Sequence, residues 1–111
     1  MATFLVALGG NALLRNGEEG KYEEILRNIK KALENLLWIV EDGHDLIITH
    51  GNGPMVGHAL LRNESCKNAP RMPLNACVAD TQGSLGHMIS LTLKNLLEKR
   101  KIERKQTKKA L

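Results

Sequence analysis

Aromatic residues are scarce: Phe4, Tyr22 and Trp38 are the only three among 111 residues. Proteins that hold single-stranded nucleic acid lean on aromatic platforms, so binding by base stacking is not expected. Cysteine is as sparse. Cys66 and Cys77 are too few for a disulfide framework and lack Cys-x-x-Cys spacing, which reads as small core or surface residues in a reducing compartment. His44, His50, His58 and His87 lack zinc-motif spacing and an acidic set beside them, so no metal ligand is assigned. No apolar run approaches the ~20 residues that span a bilayer, and the N-terminus lacks the basic region and cleavage site of a signal peptide. A cytoplasmic protein with no membrane partner is the expectation.

What is present is ordinary in amount and uneven in place. A content of 42% hydrophobic and 25% charged residues suits a globular chain, and the length suits one domain rather than two. The net charge of +4 is concentrated: positions 99–109 hold seven Lys or Arg against one Glu, leaving nine basic and eleven acidic residues in 1–98. The expected organisation is a body over residues 1–98 and a basic tail over 99–111. A basic run at a helix end is favoured by the helix dipole and solvated, a reading preferred here to a nucleic-acid contact.

Two glycine turns stand out. The apolar run Thr3-Phe4-Leu5-Val6-Ala7-Leu8 predicts a strand buried on both faces, and it ends in Gly9-Gly10-Asn11-Ala12-Leu13. A second short strand over 45–49 leads into His50-Gly51-Asn52-Gly53-Pro54, with Pro54 where a first helical residue would be. Glycine bares backbone N–H groups without Cβ interference, and a helix's first N–H groups have no internal acceptor, so such turns suit anions. Neither is a Walker A loop, because no Gly-Lys-Ser/Thr follows, and neither fits the dinucleotide fingerprint. If the strands are parallel neighbours, both turns face one site at the carboxyl edge of the sheet.

The remaining elements support that placement. Ile25, Ile29, Ala32, Leu33, Leu36, Leu37 and Val40 recur at three and four, predicting one amphipathic helix over 22–41 that ends at Gly43. Strand, helix, strand is a βαβ unit, with a right-handed crossover expected. Further helices are predicted from Pro54 to about 64–67 and from near Pro73 to about Arg100. The second contains Gly83 and Gly86. Glycine inside a helix costs about 1 kcal/mol relative to alanine, so each suggests close approach of a helix, a strand or a ligand.

Three ordered motifs carry a family resemblance. Gly9-Gly10-Asn11-Ala12-Leu13, then Thr49-His50-Gly51-Asn52-Gly53-Pro54 with Val56-Gly57, then Met72-Pro73-Leu74 leading to Cys77-Val78-Ala79 and Thr81-Gln82-Gly83-Ser84-Leu85-Gly86, resemble carbamate kinases of the amino-acid kinase superfamily. The resemblance runs over about residues 3–105, roughly the first third of a family member. It implies an α/β fold, a three-layer αβα sandwich with a mainly parallel sheet, and a homodimer. It also implies reversible phosphoryl transfer between ATP and carbamate, with Mg²⁺ accompanying the nucleotide, often at the end of arginine fermentation. Carried onto matching positions, Gly9, Gly10, Asn11, Gly51, Asn52 and Gly53 would hold the phosphoryl group and the carbamoyl moiety. Asn11 and Asn52 either donate from their side chains or serve the turns by tolerating left-handed backbone.

The departures are informative. Ala7-Leu8 stands where many relatives carry a lysine, which favours this branch over acetylglutamate or uridylate kinases. Met55, Asp80 and His87 replace a glutamine, an apolar residue and a tyrosine usual in the family. Residues 106–111 show no strand pattern, where the resemblance would lead into the nucleotide-binding half. The expectation is therefore a chain truncated before that half, with self-association or loose packing because two strands give three long helices little sheet to cover. Alternatives are a non-catalytic module pairing with a full-length relative, and another acyl-phosphate kinase of the superfamily.

Overall fold

The computed structural model describes the backbone of residues 1–110 and the side chains of residues 1–105. The order is β1 (Thr3–Leu8), α1 (Gly10–Leu13), α2 (Tyr22–Glu34), α3 (Leu37–Glu41), β2 (Asp45–His50), α4 (Gly53–Ser65) and α5 (Leu74–Ala110). The strands pair in parallel over their full length, from Thr3 opposite Asp45 to Leu8 opposite His50. That register puts the ends of both strands, and so both glycine turns, side by side.

The strands alternate rather than being buried on both faces. Phe4, Val6 and Leu8 of β1 and Leu46, Ile48 and His50 of β2 point toward the helices, while Leu5 and Ile47 are 69% and 51% exposed on the other face. The apolar composition of β1 suggested otherwise; the cause is that the described helices all pack on one side of the sheet. Leu13, Ile29, Leu33 and Leu85 are fully buried there, joined by Leu8, Met55, Met88, Ile89 and Leu96.

The helix predicted over 22–41 is two helices. At the break, Asn35 Nδ2 donates to the Lys31 carbonyl at 3.3 Å, and Leu36 N–H reaches back only three residues, to Leu33 at 2.9 Å. Asparagine competes with the helical ladder in this way. The altered phase turns Leu37 and Ile39 inward and leaves Trp38 half exposed, edge-on to Phe4 at 5.4 Å. The end at Gly43 is as expected: φ is +83°, Gly43 N–H donates to Val40 and His44 N–H to Ile39, the paired bonds of a Schellman motif.

The last helix also differs from expectation. α5 runs without a break past Arg100 to Ala110, 37 residues or about 55 Å. Its basic stretch is not a separate tail where it is described: Arg100 and Arg104 grip the Glu41 carboxylate of α3 at 3.3 and 2.7 Å. The side chains of 106–111, including the end of the basic run, lie outside the described residues. Among described residues, no helix is long and apolar enough to cross a membrane.

Candidate functional site

The edge where the strands end is built from backbone. Gly9 is extended (φ −77°, ψ 172°) and leads into α1, a single turn whose Gly10 and Asn11 N–H groups have no acceptor inside the helix. Asn52 precedes α4, whose thirteen residues give its first turn both a bare Gly53 N–H and the positive end of a helix dipole. A Cβ built on Gly9, Gly10, Gly51 or Gly53 meets nothing within 4 Å. The turns therefore form an open ledge of N–H donors and glycine Cα surface.

The six expected site residues contribute unequally. Gly51 N–H donates to the Leu8 carbonyl at 3.2 Å, which ties the second turn to β1; Gly51 thus offers space rather than a donor. Asn11 is exposed in the first turn of α1. Asn52 turns its side chain away from the ledge: Nδ2 donates to the Val78 carbonyl at 3.2 Å and to Thr81 Oγ1 at 2.7 Å, both on α5. Neither asparagine is left-handed, because among described residues positive φ occurs only at Gly17, Gly20 and Gly43. The structural role of Asn52 is thus to anchor a neighbouring helix, an alternative that its turn-forming habit had hidden.

Thr81 completes that anchor. It is 8% exposed, and its hydroxyl donates to Val78 at 3.0 Å while accepting from Asn52. The Thr81-Gln82-Gly83 motif was visible in the sequence, but its partner 29 positions away was not. Of the glycines in α5, Gly86 does face a close neighbour, since its Cβ would lie 3.7 Å from His50 Nε2 at the end of β2. Gly83 faces open space. The substituted Met55 is buried in the core at the base of α4.

A loop between α1 and α2 is pinned by two carboxylates that sequence reasoning passed over. Glu18 Oε1 accepts from Arg15 N–H at 2.8 Å and from Asn28 Nδ2 at 2.7 Å, and Asn28, 4% exposed, also donates to the Leu13 carbonyl at 3.1 Å. The Arg15 backbone bond first, and the Asn28 bond second, lower the Glu18 pKa. Glu24 Oε1 accepts from Gly20 and Lys21 N–H, fixing the start of α2. Gly20 combines φ +91° with the His58 ring, whose Cε1 would lie 2.5 Å from an added Cβ.

Charge at the ledge is one-sided in kind. Donors are present, yet among described residues no group of three or more His, Cys, Asp or Glu could hold a metal ion. The described residues thus offer no such set for a resident Mg²⁺, and no step is assigned to one. A groove of about 610 Å³ between α3 and α5, lined by Val40, Leu93, Leu97, Lys94 and Lys101, touches neither turn.

The parallel strand pair and its helices match the N-terminal part of an α/β amino-acid kinase fold. Within that class the chain is homologous to carbamate kinases over about nine-tenths of its length. It is 41% identical over 104 residues to the carbamate kinase of Pyrococcus furiosus, covering 91% of this chain and 33% of that protein. It is 43% identical over 93 residues to that of Escherichia coli, covering 84% and 31%. The solved carbamate kinase from Giardia lamblia bound to AMP-PNP superposes with a TM-score of 0.83 at 35% identity, over 90% of this chain and 35% of that one. The chain thus spans about a third of the length of the curated relatives it matches. No family model matches the sequence.

Proposed function

We propose that this chain supplies the phosphoryl- and carbamoyl-holding edge of a carbamate kinase site, for reversible transfer between ATP and carbamate. The observation that carries the reading is the parallel register, which sets Gly9, Gly10 and Asn11 beside Gly51, Asn52 and Gly53 with open space above them. Phosphoryl transfer needs positioning and charge stabilisation more than covalent chemistry, and preorganised N–H donors provide both. The chemistry of the missing cations falls to groups beyond this ledge, with Mg²⁺ accompanying ATP or ADP.

Two measurements test the reading. Titration of carbamoyl phosphate, followed by ³¹P NMR, should show binding that Gly53→Asp abolishes. That variant adds an anion in open space at a helix N-terminus, where it favours the helix and repels the ligand. ATP formation from carbamoyl phosphate and ADP with Mg²⁺ then asks whether the edge works unaided. Absence of anion binding at millimolar ligand would sink the proposal.

A second reading is favoured by the Leu5–Ile47 face. These register partners leave an apolar patch on the side of the sheet away from the helices. A non-catalytic module that pairs through that face, with itself or a full-length relative, would show association without turnover.

A further inference from the structure

We propose that Cys66 and Cys77 form a paired-thiol modification site, which low-molecular-weight disulfides such as glutathione disulfide convert into an intramolecular disulfide. The inference is independent of what the glycine turns bind.

Cys66 and Cys77 both line one cavity of about 290 Å³, together with Arg62, Asn63, Met72 and Asp80. The fold brings them there by a specific device. Cys66 caps α4, its N–H donating to Arg62 at 3.2 Å, and the chain then returns along α4. Asn63 holds the returning strand as a backbone partner would: Nδ2 donates to the Met72 carbonyl at 2.9 Å and Oδ1 accepts from Met72 N–H at 2.8 Å. That clamp delivers the first turns of α5, with the Cys77 thiol directed at the same Met72 carbonyl, 4.0 Å away.

The two sulfurs differ as an attacking and a resolving thiol should. Cys66 is exposed, and Cys77 is 4% exposed. Cys66 thiolate attacks one sulfur of glutathione disulfide, forming a mixed disulfide and releasing one glutathione thiolate. Cys77 thiolate then attacks Cys66 Sγ and releases the second. Two protein thiols are oxidised, one disulfide is reduced to two glutathione molecules, and the thiol protons pass to the departing thiolates. Arg62, which also lines the cavity, offers a positive charge near it for the carboxylates of the incoming peptide.

The crosslink would join the end of α4 to the residue next to Val78, whose carbonyl receives Asn52. It would therefore stiffen the α4–α5 junction beside the Val78 carbonyl on which Asn52, in the second glycine turn, is anchored.

The test uses the intact chain incubated with glutathione disulfide, acid-quenched, alkylated under denaturing conditions and weighed. Free thiols should fall from two to none, with a mass lower by two hydrogens, on a species that stays monomeric under non-reducing conditions. Cys77→Ser should stop at one glutathionyl group on Cys66, and Cys66→Ser should leave the Cys77 thiol unreacted. Persistence of both thiols, a stable glutathionyl adduct on the wild-type chain, or an interchain disulfide would overturn the proposal.

Discussion

Replacing Asn52 by alanine isolates the contact that links the second glycine turn to α5. The change removes two donated bonds, to Val78 O and Thr81 Oγ1. A neutral hydrogen bond contributes about 1 kcal/mol, and an orphaned buried partner adds to that loss. Here the orphaning is partial, because the Thr81 hydroxyl still donates to Val78. The expected loss is about 2 kcal/mol, read by urea unfolding of the chain followed by circular dichroism. Asn52→Asp should be worse than alanine, because it places a carboxylate oxygen where the donor faced the Val78 carbonyl at 3.2 Å. Thr81→Val should couple to Asn52→Ala by about 1 kcal/mol in a double-mutant cycle, since both act on one bond. Strict additivity, or an aspartate variant more stable than the alanine one, would refute the assignment of Asn52 as an anchor.

Other perturbations probe the supporting structure. Gly20→Ala should destabilise by about 1 kcal/mol more than Gly17→Ala, since both glycines are left-handed but only Gly20 abuts His58; adding His58→Ala should erase the difference in a thermal melt. The lowered Glu18 pKa gives stability that is present above the unfolded-state value and lost as pH falls through the folded-state value; Glu18→Gln should flatten that acid limb in urea titrations across pH. Glu41→Ala releases Arg100 and Arg104, both more than half solvated or nearly so, for a cost of about 1 kcal/mol and faster amide exchange in the distal part of α5. Ile47→Lys should reduce self-association in sedimentation velocity without lowering stability by more than about 0.5 kcal/mol, because the side chain is half exposed.

The parts of this fold legible in the sequence are those set by local signals. Apolar periodicity and Pro54 located α4, the strands followed from short apolar runs between breakers, and Gly43 marked a helix end that the structure closes with a full Schellman motif. The break at Asn35 was hidden because Leu36 and Leu37 continue an apolar pattern while their backbone shifts phase. The exposure of Leu5 and Ile47 was hidden for a different reason: composition reports that a strand is apolar, but which layers cover it depends on other elements. At the site, glycines were legible as open backbone, whereas the duties of Asn52, Asn28 and Gly51 depend on partners distant in sequence.

Under the proposed function, the same geometry sets how strongly the ledge could hold an anion. Its donors are backbone N–H groups, held in place by the β1–β2 pairing and by the Asn52 anchor, so they are preorganised and need no side-chain ordering to act. They carry partial charges only, whereas a transferring phosphoryl group spreads full negative charge over its oxygens. The Asn52 side chain is committed to α5 and the Gly51 N–H to Leu8, which leaves the backbone N–H groups of Gly10, Asn11 and Gly53 among the clear donors. An edge of this kind selects the place and orientation of an anion more than it neutralises one. Binding of carbamoyl phosphate to the chain should therefore be weak and little affected by Asn11→Ala, which keeps the backbone N–H and removes only an exposed side chain, yet sensitive to any new negative charge at Gly53. A loss of binding in Asn11→Ala equal to that in Gly53→Asp would show that side-chain donors, not backbone, hold the anion.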